Sequence, residues 1–305
     1  MRVVSLLPSA TEIVAALGIE PVGVSHECDH PPRMADKPAV SRSRVDPTAS
    51  SAEIDEQVLE AERSGGVYDI ELDMLACLDP DLVVSQGICE VCAVDAVAVR
   101  EAVERLELDC EVLTTDPHSI GDVFDDIRRI GAATGTEDQA SALVGDLEAR
   151  VQAVERTAEM TDECPRVVVL DWTDPAMVAG HWLPEMVELA GGSYGLTDHG
   201  AASRPVEWET IREYDPEVLV AAPCGFDLDQ TTENLTDLTD RPGWDELTAV
   251  QDGRAYAIDG HQYVNRPGTR LVDSLEHLAG VIHPEAFELP PTDAARPLSA
   301  LTISS

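Results

Sequence analysis

The sequence predicts an α/β protein of two lobes with mainly parallel sheets, joined by one long rigid helix. Three observations support this fold class. Strand-like apolar runs alternate with helix-like segments, one long amphipathic segment lies near the middle of the chain, and the parts on either side of it carry the same local pattern. Alternating strands and helices imply parallel sheets with helical crossovers. A chain of 305 residues is long enough for two domains of ordinary size.

The central segment runs from Thr136 to about Glu159 and has the periodicity of an amphipathic helix. Thr136, followed by Asp138 and Gln139, suits a helix start, where unpaired N–H groups need oxygen partners. At about 1.5 Å per residue this helix would span roughly 35 Å, more than the width of a small domain. Its apolar residues recur at steps of three and four, at Leu143, Val144, Leu147, Val151 and Val154.

The parts before and after this helix share a pattern of an acid, a short helical stretch, Asp-Pro-acid and an apolar strand. Asp73 precedes Asp79-Pro80-Asp81 in the first part, and Glu209 precedes Asp215-Pro216-Glu217 in the second. Two unrelated α/β stretches with an ordinary crossover helix are the alternative. The repeated pattern favours two similar lobes. We therefore expect an N-terminal lobe, a linker helix, a C-terminal lobe and a loose tail, at residues 1–135, 136–162, 163–288 and 289–305.

In the first lobe, apolar runs bounded by Pro, Gly and Ser predict the strands, and Ser9 and Thr11 are expected to cap a helix that ends at Gly18. The segment from Ser41 to Pro47 is expected to be irregular. The predicted strands are Val3–Leu7, Pro21–Ser25, Leu82–Ser85 and Cys110–Leu113. The predicted helices are Glu12–Leu17, Ser51–Arg63, Leu72–Leu78, Asp95–Leu106 and Ser119–Ala133.

In the second lobe, Pro205 suits the first position of a helix, and Trp172 to Trp182 is expected to be a loop. The Pro- and Ser-containing end of the chain, from Leu289 to Ser305, is expected to be loose. The predicted strands are Val167–Leu170, Val218–Ala222 and Ala255–Ile258. The predicted helices are Leu183–Ala190, Val206–Glu213, Thr231–Leu238 and Thr269–Ile282.

The charge balance limits the possible partners. The formal net charge is −39, from 59 acids and 20 bases, and Lys37 is the only lysine. Nucleic acid is not an expected partner, because binding to phosphates needs clustered Lys and Arg. Surfaces rich in acids and poor in lysine are similar to those of halophilic proteins, in which high salt screens the repulsion between like charges.

The amino terminus gives an expectation about location. Met1 and Arg2 lead directly into a strand, with no basic region or cleavage site before it, so the protein is expected to be cytoplasmic if Met1 is the native start. If a leader was removed, the alternative is an extracellular, membrane-associated binding protein. No apolar run approaches the eighteen or so residues of a membrane span, so the protein is not expected to cross a membrane.

Ligands on parallel α/β sheets bind beyond the carboxyl ends of the strands. This rule selects six loops, at Pro8–Thr11, His26–His30, Gln86–Cys92, Trp172–Trp182, Pro223–Asp227 and Gly260–Arg266. We expect two facing lobes to bring these loops together across one cleft. The predicted cleft residues are Pro8, Ser9, Thr11, His26, Glu27, Cys28, Gln86, Cys89, Cys92, Trp172, His181, Trp182, Cys224, Phe226, His261, Tyr263 and Arg266.

Histidines and cysteines in two of these loops have the chemistry of metal ligands. Imidazole and thiolate suit zinc or iron, and the candidate ligands are His26, Cys28, His30, Cys89 and Cys92. A second Cys-x-x-Cys is absent, so the sequence does not predict a standard zinc ribbon. Dithiol redox chemistry is one alternative, because a helix start lowers the pKa of a thiol, and loop thiols that line a pocket are another.

Other loop residues are suited to a large planar ligand. His181 or His261 could bind a metal or the axial position of a ligand, Trp172 and Trp182 could form an apolar wall, and Arg266 could hold an anionic group. Each of these residues also has a structural alternative, as a local hydrogen-bond partner or a buried packing group. The Gly-rich phosphate loop, the dinucleotide turn and the Gly-x-Ser-x-Gly elbow are all absent.

Together these residues resemble the cobalamin and iron-siderophore (Fe/B12) family of periplasmic-type substrate-binding proteins of ABC importers. The resemblance covers about residues 1–287 and is carried by Arg2–Glu12, Pro21–Ser25, Leu78–Val84, Pro242–Trp244 and Ala255–Ala257. Within this family, the sequence resembles the vitamin B12-binding branch. It is similar to a subgroup of the family that lacks a leader. The resemblance implies two Rossmann-like lobes, a rigid helical linker of class III architecture, and a ligand held between the lobes with little hinge closure.

The resemblance also implies a function. It implies a non-catalytic binding protein for a corrinoid or an iron or other metal chelate, with Asp73 and Glu209 in the positions of the acids that dock onto an ABC permease. No resident cofactor is expected; a corrinoid, iron or zinc would be bound as ligand. The missing leader, an extra helix within residues 48–68 and the loops His26–His30 and Cys89–Cys92 depart from the family pattern. The alternative is a cytosolic metal- or thiol-dependent enzyme that reuses the fold.

Overall fold

A computed structural model describes residues 1–64, 66–87, 94 and 96–301 of the chain. The chain divides into two compact units. The first unit contains residues 1–49, 53–117 and 121–146, and the second contains residues 50–52, 118–120 and the chain from 147 onward. Each unit is an α/β structure with its own sheet, which confirms the fold class.

Among its described residues, the first unit has six strands: β1 (Val3–Ser5), β2 (Gly23–Val24), β3 (Ser41–Ser43), β4 (Tyr68–Ile70), β5 (Leu82–Gln86) and β6 (Glu111–Thr115). Four of them form a parallel sheet in the order β2-β1-β5-β6, and β3 pairs with β4 separately in antiparallel register. Since β1 lies between β2 and β5, the strand order reverses there. This topological switch point places a crevice beyond the carboxyl ends of β1 and β5.

The strands of the first unit alternate with helices. These helices are α1 (Pro8–Ala16), α2 (Ser51–Arg63), α3 (Leu72–Leu78), α4 (Ala96–Arg105) and α5 (Ile120–Thr134). Buried aliphatic side chains of the strands pack against those of α3 and α4, as aliphatics must in a chain with 4% aromatic residues. Core members include Val4, Leu6, Leu75, Val83 and Val99.

The predicted central helix is α6 (Glu137–Ala158), and it passes from the first unit to the second between Asp146 and Leu147. Its buried face includes Val144, Leu147 and Val154, in agreement with the predicted periodicity.

The second unit has a six-stranded mixed sheet made of β7 (Val167–Trp172), β8 (Met177–Val178), β9 (Arg204–Pro205), β10 (Val218–Ala221), β11 (Ala255–Ile258) and β12 (Ala295–Pro297). The order is β12-β11-β10-β7-β8-β9, in which β11, β10 and β7 are parallel and the outer strands are antiparallel. Its helices are α7 (Leu183–Leu189), α8 (Trp208–Tyr214), α9 (Leu228–Glu233), α10 (Thr236–Thr239), α11 (Thr248–Gln251) and α12 (Leu271–Ile282).

The repeated sequence pattern corresponds to the same local structure in each unit. The helices α3 and α8 both have seven residues, and each ends at an aspartate in the left-handed region, with φ of 41° at Asp79 and 46° at Asp215. Left-handed backbone at this position ends the helix and turns the chain. Proline and then an apolar strand follow in both units. The buried anchors Leu75 and Ile211 occupy equivalent places in the two helices.

An arginine fixes this turn in each unit. The Arg2 backbone N–H donates to Asp81 Oδ2 at 2.6 Å, and its Nε donates to the Leu78 carbonyl at 2.7 Å. The Arg166 backbone N–H donates to Glu217 Oε2 at 2.9 Å, and its Nε donates to the Asp215 carbonyl at 3.0 Å. The same contacts at matched positions support the interpretation of two similar lobes.

Two expected helix starts were wrong. Helix α1 begins at Pro8, because proline suits the first helical position, and Ser9 and Thr11 therefore lie inside the helix instead of capping it. Pro205 lies in β9 and the next helix begins at Trp208. An edge strand tolerates proline, since proline has no N–H to donate.

Three segments expected to lack regular structure contain strands. Ser41 to Pro47 includes β3, and Arg42 of β3 and the nearby Arg44 both bond to Asp69 of the partner strand β4. The loop between Trp172 and Trp182 includes β8. The carboxyl-terminal segment was expected to be loose, but its residues 295–297 form β12 against β11. The predicted helix Thr231–Leu238 consists of two short helices, α9 and α10.

No helix within the described parts of the chain has the length and the apolar character that a membrane crossing requires.

Candidate functional site

A chain of hydroxyl and thiol groups lies at the switch point of the first unit. The Thr11 hydroxyl donates to Ser5 Oγ at 2.9 Å and lies 3.0 Å from Cys28 Sγ. Because the one hydroxyl hydrogen of Thr11 is used in the bond to Ser5, the Cys28 thiol must be the donor in the second contact. All three side chains are buried. Cys28 therefore acts as a buried thiol donor in this arrangement.

His26 follows β2 and is oriented by two serines. Ser41 Oγ donates to Ser25 Oγ at 3.1 Å and lies 3.2 Å from His26 Nδ1. Since the Ser41 hydrogen is committed to Ser25, Nδ1–H of His26 is the donor to Ser41. The neutral ring then carries its lone pair on Nε2, which lies 3.7 Å from Glu27 Oε1, beyond hydrogen-bond distance. Histidines that bind metals are commonly oriented by such a bond from the other ring nitrogen.

The other predicted cleft residues of the first unit differ in exposure. Ser9 and Gln86 are buried, with Gln86 at the carboxyl end of β5. Pro8, Glu27 and His30 are half-buried. The side chains of Pro8 and Glu27 therefore remain accessible at the switch-point end of this sheet, together with His26.

In the second unit, the turns after β10 and β11 approach each other closely. A Cβ on Gly260 would lie 2.1 Å from the Pro223 carbonyl oxygen, so this position needs glycine. The His261 N–H donates to the Phe226 carbonyl at 2.9 Å, and Asn265 Nδ2 donates to the Ala222 carbonyl at 2.9 Å. These contacts hold the predicted loops around Cys224 and His261 together at the carboxyl ends of their strands.

Arg266 and His261 form a polar pair in these turns. Arg266 Nη2 lies 3.0 Å from His261 Nε2, and Arg266 is 6% exposed. A guanidinium can only donate, so His261 Nε2 accepts and its ring carries the proton on Nδ1. A guanidinium fixed in this way has the fork of donors that suits a carboxylate or phosphate.

Arg270 adds a second cation to the same turn. Its guanidinium lies 5.5 Å from the centre of the Tyr263 ring, and its Nη1 donates to Gln262 Oε1 at 2.9 Å. Burial raises the pKa of Tyr263 and lowers the pKa of His277, whose ring packs edge-on against Tyr263 at 4.8 Å. Both rings therefore favour the neutral form, and Arg266 and Arg270 supply the positive charge. Burial also raises the pKa of Asp259, whose Oδ1 accepts a hydrogen bond from the Gln262 N–H at 2.7 Å.

The predicted aromatic residues are mostly buried inside the second unit. Trp172 packs against Phe226 with ring centres 5.1 Å apart, and its Nε1 donates to the Asp174 carbonyl. Trp182 Nε1 donates to the Val264 carbonyl at 2.8 Å. These contacts give the tryptophans a packing role, and ligand contact by their remaining edges stays a prediction.

The predicted metal ligands are only partly described by the structure. Cys89 and Cys92 lie outside the described residues. Within the described residues, no group of three or more His, Cys, Asp or Glu side chains is arranged to hold a metal ion. The proposed set of His26, Cys28, His30, Cys89 and Cys92 therefore remains a prediction, with His26 the member whose geometry suits a ligand.

A surface depression of about 610 Å³ lies in the first unit beside α2. It is lined mainly by carboxylates and amides, from Asp46, Thr48, Ala49, Glu53, Glu56, Gln57 and Glu60. Its acidic lining disfavours an anionic ligand, and we assign no function to it.

The two predicted docking acids lie in the first turns of the equivalent helices. Asp73 is exposed on α3. Glu209 is exposed on α8, and its Oε2 accepts a hydrogen bond from Arg212 Nη1 at 2.6 Å. Beside Glu209, the Trp208 ring lies between Trp244 and the guanidinium of Arg241, which gives this helix start a rigid surface.

Sequence reasoning missed several of these groups. Ser25 and Ser41 orient His26, but no pattern in the sequence indicates this role. Ser41 also lies in the segment that was expected to be irregular. Arg270 could have been selected, since bases are rare in this chain and it follows the predicted loop that ends at Arg266. Glu12 is buried within α1 although the pattern gave it no role.

Comparison with known proteins supports a single family. The family model described as "Periplasmic binding protein" matches residues 3–261. An uncharacterized ABC transporter substrate-binding lipoprotein, YvrC of Bacillus subtilis, is 25% identical over 297 residues, which cover 94% of this chain and 81% of that protein. A vitamin B12-binding protein of Vibrio cholerae is 24% identical over 282 residues, with 91% and 87% covered.

Solved structures show the same fold. A periplasmic heme-binding protein from Pseudomonas aeruginosa superposes with a TM-score of 0.73 at 21% sequence identity, over 96% of each chain. The match over nearly the whole of both chains means that the two α/β units and the segment between them belong to one known architecture.

Proposed function

Because the chain belongs to the periplasmic binding protein family, we propose that this substrate-binding protein binds a corrinoid or an iron chelate such as haem. The relatives bind ligands of these two classes according to their names. The observation that carries the proposal for this chain is His26. Its Nδ1–H bond to Ser41 directs Nε2 of a partly exposed ring away from Ser41 at the carboxyl end of β2, with Glu27 Oε1 3.7 Å from Nε2. A cobalt or iron centre accepts an imidazole nitrogen as an axial ligand.

The second unit supplies complementary chemistry in this proposal. Corrinoids and haem both carry acidic or amide groups at their edges, and Arg266 and Arg270 place positive charge beyond the carboxyl end of β11. In a chain with net charge −39, two arginines on one turn are a local exception that favours an anionic group. His261 and Tyr263, held by the same arginines, are the adjacent proposed contacts.

We expect the ligand to be detectable by its own colour. Titration of the full chain with aquocobalamin and separately with haemin should change the visible spectrum of one of them, with about one ligand per chain and micromolar or tighter affinity. Such spectra report directly on the axial ligand of the metal. Unchanged spectra together with no calorimetric heat for both compounds would contradict the proposal.

The proposed partner is an ABC permease that contacts Asp73 and Glu209. Both acids are exposed at the starts of helices with matched structure, so they offer two equivalent negative sites to basic residues of a partner. Reversing both charges, in the double variant Asp73→Arg and Glu209→Arg, should abolish association with the permease measured by pull-down. The ligand titration should be unchanged. Association that survives both reversals would exclude these acids as the docking sites.

A further inference from the structure

Two histidines lie side by side in the second unit. The ring centres of His118 and His181 are 5.6 Å apart, with an angle of 43° between the ring planes. Both side chains are half-buried. A Cβ on Gly200 would lie 3.7 Å from His118 Cβ, so the loop around Gly200 packs against His118. The sequence pattern selected His181 but not His118.

The backbone fixes the position of His181. Its φ is 52°, in the left-handed region that a histidine rarely adopts. The Gly200 N–H donates to the His181 carbonyl at 3.0 Å, and the His181 N–H donates to the Ala201 carbonyl. A Cβ on Gly180 would lie 2.2 Å from that same carbonyl oxygen, so the two segments are in close contact. Residues held in unusual backbone conformations are concentrated at functional sites.

A buried aromatic ring supports the histidine from the other side. The Trp182 ring lies 5.6 Å from the His181 ring at 32°, and its indole N–H is anchored to the Val264 carbonyl at 2.8 Å. Trp182 is 6% exposed, so it gives His181 a rigid backing. The imidazole of His181 is thus held in place before any ligand binds, which lowers the entropic cost of binding.

The spacing of the two rings fits a shared metal ion. With a zinc–nitrogen bond of about 2.1 Å, the metal lies about 3.2 Å from the centre of each ligating ring. A tetrahedral angle at the metal then separates two ring centres by about 5.2 Å, and an angle near 120° separates them by about 5.5 Å. The observed separation of 5.6 Å is close to this range.

We propose that His118 and His181 form a binding site for a divalent transition metal such as Zn²⁺ or Ni²⁺. Imidazole is a common protein ligand for both ions, and the strong negative charge of the chain raises the local concentration of cations. Two protein ligands leave coordination positions that water fills. The proposal does not rest on the binding of a corrinoid or haem.

The test uses zinc chloride with the full chain, in competition with a chromophoric zinc chelator. Potassium chloride at about 1 M screens weak binding to surface carboxylates. We expect one zinc site per chain, and a loss of affinity of at least about tenfold in His118→Ala and in His181→Gly. Glycine at position 181 removes the imidazole but accepts the positive φ, so this variant should keep its fold.

His199→Ala is the matched control, because His199 is an exposed histidine of the same unit that is paired with Glu188 at 3.0 Å. It should bind zinc as the unchanged chain does. Prior alkylation of the cysteines separates this site from a thiol site. Zinc binding that survives alkylation and is lost in the two variants supports the proposal. An absent zinc site, or one lost on alkylation but retained in His118→Ala, would overturn it without affecting the corrinoid and haem titrations.

Discussion

Replacing His26 with alanine should weaken the binding of aquocobalamin or haemin, whichever gives the spectral change, by about 100-fold, equivalent to about 2.7 kcal/mol. The reason is the loss of a metal–nitrogen bond from an imidazole that is already oriented. His26 Nδ1–H donates to Ser41, so Nε2 needs no rearrangement before it binds. The measurement is the visible titration of the full chain, in which the spectrum of the bound form should also change because the axial ligand is different.

Two further variants separate direct ligation from a general loss of structure. Ser41→Ala keeps the imidazole but removes the group that fixes its tautomer, and should weaken binding about tenfold, as outer-shell changes at metal sites commonly do. His199→Ala removes an exposed histidine of the other unit and should leave affinity unchanged. If His26→Ala binds with the original affinity and spectrum, His26 is not an axial ligand and the contact must come from another residue.

The repeated motif was predictable because its signals are local. Left-handed backbone at Asp79 and Asp215, followed in each case by proline, depends on residues adjacent in sequence. The same holds for α6, whose buried face follows from residue spacing alone. The alternation of strands with helices then predicted the parallel sheets and the sheet ends at which a ligand is expected. For these elements the local preference and the tertiary structure agree, and so the sequence pattern was sufficient.

Elements that depend on distant partners were not predictable. Short strand β3 has no apolar run, and it forms because β4 lies beside it with Asp69 placed to bond Arg42 and Arg44. Pro205 resembled a helix start, but an antiparallel partner at Met177 makes it part of an edge strand. Strands as short as these, paired with residues distant in sequence, contain too few residues to show a periodic pattern.

The candidate site also contains residues that local sequence signals predict and contacts that depend on distant residues. His26, His261 and Arg266 were selected because their residue types follow predicted strands, a rule that needs only local information. The hydrogen bond from His26 to Ser41 depends on strand β3, 15 residues away, and the pairing of His118 with His181 joins residues far apart in sequence. Burial also changed the interpretation of Trp172 and Trp182, whose indole N–H groups are used by backbone carbonyls of the same unit.

The carboxyl-terminal segment should make a large contribution to stability. Ala294, Ala295, Leu298 and Leu301 are buried, and β12 pairs with β11 through Ala295 to Pro297. Burial of two leucines and two alanines stabilises by roughly 5 to 7 kcal/mol before chain entropy is subtracted. Deletion of residues 291–305 should therefore lower the free energy of unfolding by about 3 to 5 kcal/mol, a large part of the total for an ordinary domain. Urea unfolding followed by tryptophan fluorescence measures this loss.

The same deletion should also weaken ligand binding, because the segment supports the turn after β11. The Asp259 N–H donates to the Ala294 carbonyl at 2.9 Å, and Asp259 Oδ1 accepts from the Gln262 N–H at 2.7 Å, in the turn that leads to Arg266. Without residue 294, the strand end that carries His261 and Arg266 loses an anchor, and β11 becomes an exposed edge that promotes association between chains. Deletion of residues 302–305 alone keeps Ala294, Ala295, Leu298 and Leu301, and should change stability by less than about 0.5 kcal/mol. Equal urea midpoints for the two deletions would show that β12 adds nothing to the sheet.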